Sequence, residues 1–363
     1  MPLMPAMAMA SYPSPLAVAL FYRACLVAAV TAALALFLAR GWLAEAARAP
    51  DAPSPSTRYR NTLAFWLGAL WVLDAVLQAQ PLMATRFLGG VVAPLLGGQP
   101  TVVADLIRLG MRLWGTSPVW FNVLATFSQL LVGLGLLMSR DGSRLRLSAL
   151  WLSIAWGLVV WTVGEAFGSL LHRGGALVGS PGSALLYAAA AALLLVPRER
   201  WDEARLWSLV QRGFAAFFAL LTLLEVLPAN AWWTAGGLGG FVQTMARMPQ
   251  PGIVAAPLAA WADSLTAHPV AWNAAIAAST LALAIAWLVA PKRRSTLYAT
   301  LAWTLLLWYF GQDFGVLGGM ATDPNTGAIL LVFGVLWGER LGVFGRARAR
   351  DALMPGAAAL RER

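Results

Sequence analysis

Residues 117–146 read SPVWFNVLATFSQLLVGLGLLMSRDGSRLR. Positions 118 to 138 carry no charge, and as a helix rising 1.5 Å per residue a run of that length crosses about 30 Å of hydrocarbon. Arg140, Arg144 and Arg146 follow at once. A long uncharged run closed by cations is the pattern of a membrane span whose end is retained in the cytoplasm.

Working outward, runs of this kind recur near 15–39, 61–80, 118–138, 147–169, 182–196, 213–229, 270–290, 296–316 and 326–343. The whole-chain figures agree: of 363 residues, 60% are hydrophobic and 12% charged, where a water-soluble domain carries about a quarter charged. The fold class expected is therefore all-α, a polytopic transmembrane helix bundle of about nine spans. The formal net charge of +10 resides in 26 cations, all but Lys292 being arginine. They lie in short clusters between apolar runs, which orients a chain in a bilayer and does not build a nucleic-acid surface. Membrane lipid and other membrane subunits are the partners expected, and no nucleic acid. A single cysteine, Cys25, leaves no disulfide framework, no CxxC redox pair and no cysteine-rich zinc or iron–sulfur site.

Arg40, Arg48, Arg58 and Arg60 follow the first run, Arg140, Arg144 and Arg146 the third, Arg198, Arg200 and Arg205 the fifth, Lys292, Arg293 and Arg294 the seventh, and Arg340, Arg346, Arg348 and Arg350 the ninth. The alternate connections hold only Arg86, Arg108, Arg112, Arg173 and Arg247. The positive-inside rule then predicts the cytoplasmic membrane, with the N-terminus outside and the C-terminus in the cytoplasm. The first run has no basic segment before it and contains Arg23, so it reads as an anchor and not a cleaved signal peptide. Residues 41–60, rich in Pro, Ala and charge, read as a linker.

At an offset of 151 residues, Asp74 falls on Glu225, Pro118 on Pro269 and Asn122 on Asn273. Further on, the frame W-x-x-G-x-x-F-G recurs at Trp161–Gly168 and Trp308–Gly315, and Pro181 ahead of Ala184 falls near Pro324 ahead of Ala328. The division predicted is 1–60 anchor helix and linker, 61–196 first four-helix repeat, 197–343 second repeat and 344–363 cytoplasmic tail. Four crossings return a chain to its starting side, so the repeats are expected to be parallel. In each, about 40 apolar, Gly- and Pro-rich residues separate the first two spans. Within 100–114, Val103, Leu106 and Ile107 against Asp105, Arg108 and Arg112 predict an amphipathic helix, either lying in the outer interface or capping the bundle.

Asp74-Ala-Val-Leu-Gln78-Ala-Gln80-Pro81 ends one helix, an exported excursion comes next, and three further helices with Gly-rich cores follow, including Gln129-Leu-Leu-Val-Gly133-Leu-Gly135-Leu-Leu. In this plan the chain, over roughly 61–343, resembles a duplicated DoxX-like bacterial membrane protein. The resemblance implies an accessory or quinone-linked subunit of an envelope oxidation system, and none of that family's residues has a motif sharp enough to carry over.

Ionisable groups within spans cost about 2.5–3.5 kcal/mol at a helix centre, so each is a candidate site residue. Asp74, Glu165, Glu225 and Asp313 are the acids. Counting from the inner helix ends places Asp74 and Glu225 about 18 Å up and Glu165 and Asp313 about 24–27 Å up, toward the exported side. Arg86, Arg173, His172 and His268 lie on that side too. In the functional reading, Asp74 and Glu225 bind a cationic or protonatable ligand and Glu165 with Asp313 guard the mouth. In the structural reading, the acids pair with arginines and fix helix register. Gly164 with Gly168 and Gly311 with Gly315 predict close helix contacts. Trp114, Trp120, Trp232, Trp233 and Trp261 suit an outer belt, with Trp66, Trp71, Trp156, Trp161, Trp303 and Trp308 filling the bundle. The turn Thr322-Asp323-Pro324-Asn325 predicts a helix start capped by Thr322 or Asp323.

The two histidines fall at non-equivalent places and lack ligand spacing, and no P-loop, dinucleotide fingerprint or Ser/His/Asp arrangement is present. No metal and no cofactor is predicted, a quinone being compatible. The function expected is a non-catalytic accessory or scaffold subunit holding lipid or quinone near its outer face. The alternatives are a proton- or cation-coupled carrier using Asp74 and Glu225, and a periplasm-facing membrane enzyme.

Overall fold

The computed structural model describes residues 15–38, 54–315 and 321–344, with side chains of 32–38 left aside. Most of the expected linker and the tail beyond 344, with Arg40, Arg48, Arg346, Arg348 and Arg350, lie outside the described residues. Helix is the only regular structure among those described, as lipid requires when no water is at hand to satisfy backbone N–H and C=O groups.

The chain is an all-helical membrane protein. Among the described residues, five helices are long and apolar enough to cross a bilayer: α2 (Pro55–Gln78), α4 (Pro118–Met138), α5 (Arg144–Val159, continued by a π turn to Gly164), α7 (Ala204–Val226) and α10 (Pro269–Val289). Helix α1 (Pro15–Leu38) precedes them, and α3 (Thr101–Gly115), α8 (Ala235–Ala246) and α9 (Gly252–Ala267) fill the two long connections. The remaining apolar runs form α6 (Ser183–Leu195), α11 (Arg294–Phe310) and α12 (Asn325–Arg340), of 13, 17 and 16 residues. Those lengths reach only about 20–26 Å.

Local sequence sets the helix starts. Ser54 accepts from the Thr57 N–H (3.2 Å) ahead of Pro55, and Ser143 accepts from the Arg146 N–H (3.2 Å). Pro118 and Pro269 open their helices at positions where no amide hydrogen is needed. Apolar side chains face outward as well as inward: Leu26 is 65%, Val76 61% and Leu288 60% exposed, which suits a lipid surround and not water. Inside, α2 and α4 touch backbone to backbone. A Cβ on Gly133 would lie 2.8 Å from the Val72 nitrogen and 2.9 Å from the Gly68 oxygen, so only glycine fits.

Polar contacts sort the helix termini into two ends. At one, Arg60 and Arg146 hold Asp141 (2.8 and 3.4 Å) and Thr62 donates to Glu339 (3.1 Å). At the other, Asn122 donates to the Met83 carbonyl, Asn273 to that of Glu225 (2.9 Å) and Gln80 to that of Ala321 (3.2 Å). The same local geometry occurs twice at that second end. The Trp161 indole donates to the Pro181 carbonyl (2.8 Å) and that of Trp308 to Pro324 (2.7 Å). Each ring meets a phenylalanine edge-on, Phe167 at 5.1 Å and Phe314 at 5.0 Å.

Three expectations about packing change. Helix α5 ends at Gly164 and not near 169, because Ala166, Phe167, Gly168 and Ser169 all turn to positive φ, a left-handed excursion no α-helix accommodates. Gly168 and Gly315 therefore serve these turns (φ +62° and +69°) and not helix contacts: a Cβ on Gly168 would collide with the Pro181 carbonyl. Trp232 is buried, donating to the Gly174 carbonyl (2.8 Å), while Trp66 is 43% exposed and points out of the bundle.

Candidate functional site

Asp74 lies one turn before the end of α2, a helix fixed to α5 by the Trp71 indole, which donates to Ser153 Oγ (2.9 Å). One turn separates Asp74 from Trp71, and the Trp71 ring meets Tyr187 of α6 edge-on at 5.0 Å. Tyr187 consequently sits beside Asp74. Both are buried, and among the described residues the Tyr187 hydroxyl is the one donor that stands against the Asp74 carboxyl.

The π turn at the end of α5 delivers Glu165 to the same place, its own N–H reaching back five residues to the Val160 carbonyl (2.9 Å). Such a wide turn inserts one residue and re-aims the chain beyond it, which is why it recurs at functional sites. Glu165 Oε1 accepts from the Ala184 N–H (3.1 Å) and lies 2.6 Å from Ser183 Oγ. Ser183 Oγ also lies 2.8 Å from Oδ1 of Asp323. Asp323 belongs to the turn before α12, where it accepts from the Asn325 N–H (2.7 Å) and the Thr322 hydroxyl (3.1 Å).

These groups form the polar end of a cavity of about 260 Å3, walled by α2, α4, α5 and α6 and covered by the first long connection. The cover is helix α3 with the turn before it: Ile107, Val103 and Val92 pack on Ala166, while Asp105 and Arg108 pair with each other on the exposed side (2.7 Å). The amphipathic helix expected at 100–114 thus turns its apolar side to the bundle ends, the capping arrangement. Trp114 is sandwiched between Phe87 (4.6 Å) and Phe121 (5.6 Å) and lines the cavity. Gln129 enters from α4 with its Oε1 unpartnered.

The eight residues singled out by sequence do not converge. Asp74 and Glu165 share the cavity; Glu225, Asp313, Arg86, Arg173, His172 and His268 do not line it. Glu225 accepts from the Ala176 N–H (2.6 Å), and with Asn230 and Trp232, which both donate to the Gly174 carbonyl (2.9 and 2.8 Å), it clasps the loop after α5. Asp313 is buried near Gln250 under the second long connection, so it guards no common mouth with Glu165. His172 packs over Gly98, and burial, then the neighbouring Arg173, pushes its imidazole below the usual range. His268 and Arg173 are exposed. No lysine, arginine or histidine lines the cavity among the described residues, so the register-fixing arginine partners do not stand there. Nor, among the described residues, do three or more His, Cys, Asp or Glu side chains gather closely enough to hold a metal ion.

Asp323, Ser183 and Tyr187 escape sequence reasoning. Asp323 looks like turn chemistry, and it does perform that role; its second role depends on Ser183, 140 positions away.

No family model matches the chain, and comparison with curated proteins and with solved structures finds no match.

Proposed function

We propose that the chain is a non-catalytic subunit of the cytoplasmic membrane that houses an apolar ligand, a lipid or a quinone, in the cavity between α2, α4, α5 and α6. The cavity carries this reading: its walls are aromatic and aliphatic, and convergent polar groups mark one end, the usual make-up of a small-molecule site. The architecture that goes with it is an anchor helix followed by two parallel DoxX-like four-helix repeats, nine crossings in all, with the N-terminus exported. The twice-occurring tryptophan-to-proline-carbonyl bond supports the repeat. In this arrangement α6, α11 and α12 complete their crossings through the turns that follow or precede them.

The test is gentle-detergent purification followed by mass spectrometry of co-purifying lipids and quinones, with Ala125→Phe as the comparison. Ala125 is buried and lines the cavity, so the larger ring fills it. The expected result is a bound molecule in the wild type that is lost in Ala125→Phe. Turnover of a substrate that vanishes on Glu165→Gln would replace this reading with an enzyme.

One observation favours a second reading, a proton- or cation-coupled carrier: an Asp74 carboxyl buried in a cavity with no cation among the described lining residues. Its companions are then Glu165 and Asp323 in place of Glu225. Flux into vesicles that survives Asp74→Asn would refute it.

A further inference from the structure

If the cavity houses a ligand, the hydrogen-bonding groups at its polar end restrict the chemistry of that ligand. Ser183 Oγ has one hydrogen and two carboxylate oxygens within reach, Glu165 Oε1 at 2.6 Å and Asp323 Oδ1 at 2.8 Å. A hydroxyl donates once. The second contact brings two oxygens together with no hydrogen between them unless a carboxyl is protonated, and a positive charge nearby would ease that crowding of negative groups. Around it, among the described residues, acceptors stand idle: Glu165 Oε2 and Gln129 Oε1 have no partner, Gln129 is only 6% exposed, and the Asp74 carboxyl, 2% exposed, has only the Tyr187 hydroxyl beside it as a donor. Buried acceptors of this kind are nearly always satisfied in a native protein. Three carboxylates without a cation among the lining residues add formal negative charge to a site walled by hydrocarbon.

We propose that the cavity binds an organic cation, an ammonium group on a small apolar body, with the ammonium held among Asp74, Glu165 and Asp323; this assignment rests on the proposed role of the cavity as a ligand site. An ammonium supplies several N–H donors and a positive charge in one group, which no described side chain lining the cavity does. The three acids are not clustered tightly enough for a metal ion, but they border a space of about 260 Å3, just under the roughly 300–1,000 Å3 of drug-sized sites. The Trp71 and Tyr187 rings stand beside the acids, where aromatic faces attract a cation. The apolar body would lie toward Trp114 and Phe121 under the α3 cover.

Glu165 has a neutral counterpart that supplies a control. Gln312 Oε1 accepts from the Gly327 N–H at 3.0 Å, the bond that Glu165 Oε1 makes with the Ala184 N–H at 3.1 Å. Both residues follow the glycine of the W-x-x-G frame. An amide thus performs the same backbone-holding task, and Glu165→Gln removes charge while keeping that bond.

The experiment uses the full chain in lipid nanodiscs and a matched pair of probes, 2-phenylethylammonium and 2-phenylethanol, with binding measured by calorimetry. The expected result is that the ammonium binds at least tenfold more tightly than the alcohol. Asp74→Asn and Glu165→Gln each weaken the ammonium about tenfold and leave the alcohol unchanged. If Asp74→Asn does not insert, Glu165→Gln carries the test alone. Equal affinity for the two probes, ammonium binding unmoved by Glu165→Gln, or no ammonium binding at all overturns the cation assignment. Retained binding of the alcohol, abolished by Ala125→Phe, would then leave the cavity reading standing, whereas a failed cavity shows as neither probe binding and no co-purifying molecule.

Discussion

Replacing Asp141 by alanine tests how the end of the bundle opposite the cavity is held. Asp141 lies in the turn between α4 and α5, and both its oxygens accept from Arg60 Nε (2.9 and 2.8 Å), with Arg146 Nη1 at 3.4 Å. The three side chains are only 3–8% exposed. Arg60 also donates to the Val196 carbonyl, and Arg146 to Asn61 Oδ1 (2.8 Å) and the Ser139 carbonyl (2.6 Å). One carboxylate therefore joins α2, the α4–α5 turn, α5 and the end of α6. Asp141→Ala removes the counter-charge of two buried guanidinium groups, and breaking one side of a buried ion pair costs about 3–5 kcal/mol. Asp141→Asn keeps an acceptor for Arg60 and should lose roughly half as much. The assay is thermal unfolding in nanodiscs followed by tryptophan fluorescence. A loss below about 0.5 kcal/mol for Asp141→Ala, the scatter of ordinary surface changes, would refute the reasoning.

The same group fixes a pH dependence. Burial alone would raise the Asp141 carboxyl, but the Arg60 bond and charge, followed by those of Arg146, more than offset it and hold it below the usual carboxylate range. With the folded-state value below the unfolded one of about 3.9, its stabilisation is fully present above that value. It is lost as pH falls through the folded-state value. The stability gap between wild type and Asp141→Asn should be constant from about pH 8 to pH 5 and close only in stronger acid. A gap that shrinks already near neutrality would contradict the depressed value.

Gly168→Ala should destabilise by well over 1 kcal/mol or prevent insertion, since the position combines φ +62° with a blocked Cβ. Gly240→Ala in α8, where a Cβ meets nothing within 4 Å, should instead stabilise by about 0.4–1 kcal/mol; thermal midpoints measure both. Trp161→Phe and Trp308→Phe each leave a proline carbonyl without its donor and should cost similar amounts, about 1–3 kcal/mol. Strongly unequal losses would argue against a structural repeat.

How much of the site is legible in the sequence depends on the range of the interactions that build it. Asp74 and Glu165 stand out because a charge in an apolar run is costly wherever the chain goes. That cost is local information. Their meeting is not: it depends on the left-handed turn after Gly164, which reverses the chain so that Ser183 faces Glu165. A hydrophobic pattern continues smoothly across that turn, so the helix is expected to run on. Glu225 aligns with Asp74 in the offset comparison, yet its partner is the backbone of the loop at Ala176, and backbone donors leave no mark on sequence. Trp232 is misassigned to an outer belt for a related reason. Its indole finds the buried Gly174 carbonyl, whereas belt membership assumes that the partner is a headgroup.

Thiol labelling of single-cysteine variants in intact cells, on a Cys25→Ser background, tests most directly whether the two halves cross the bilayer in the same sense with the cavity toward the outside. Arg108 in α3 and Asp263 in α9 are exposed at the cavity end, and Arg144 and Arg293 are exposed at the other. Cysteine at 108 and at 263 should react with a membrane-impermeant maleimide from outside, and cysteine at 144 and at 293 only after the cells are permeabilised. Reaction of 108 and 293, with 144 and 263 protected, would mean halves of opposite orientation and would contradict the account.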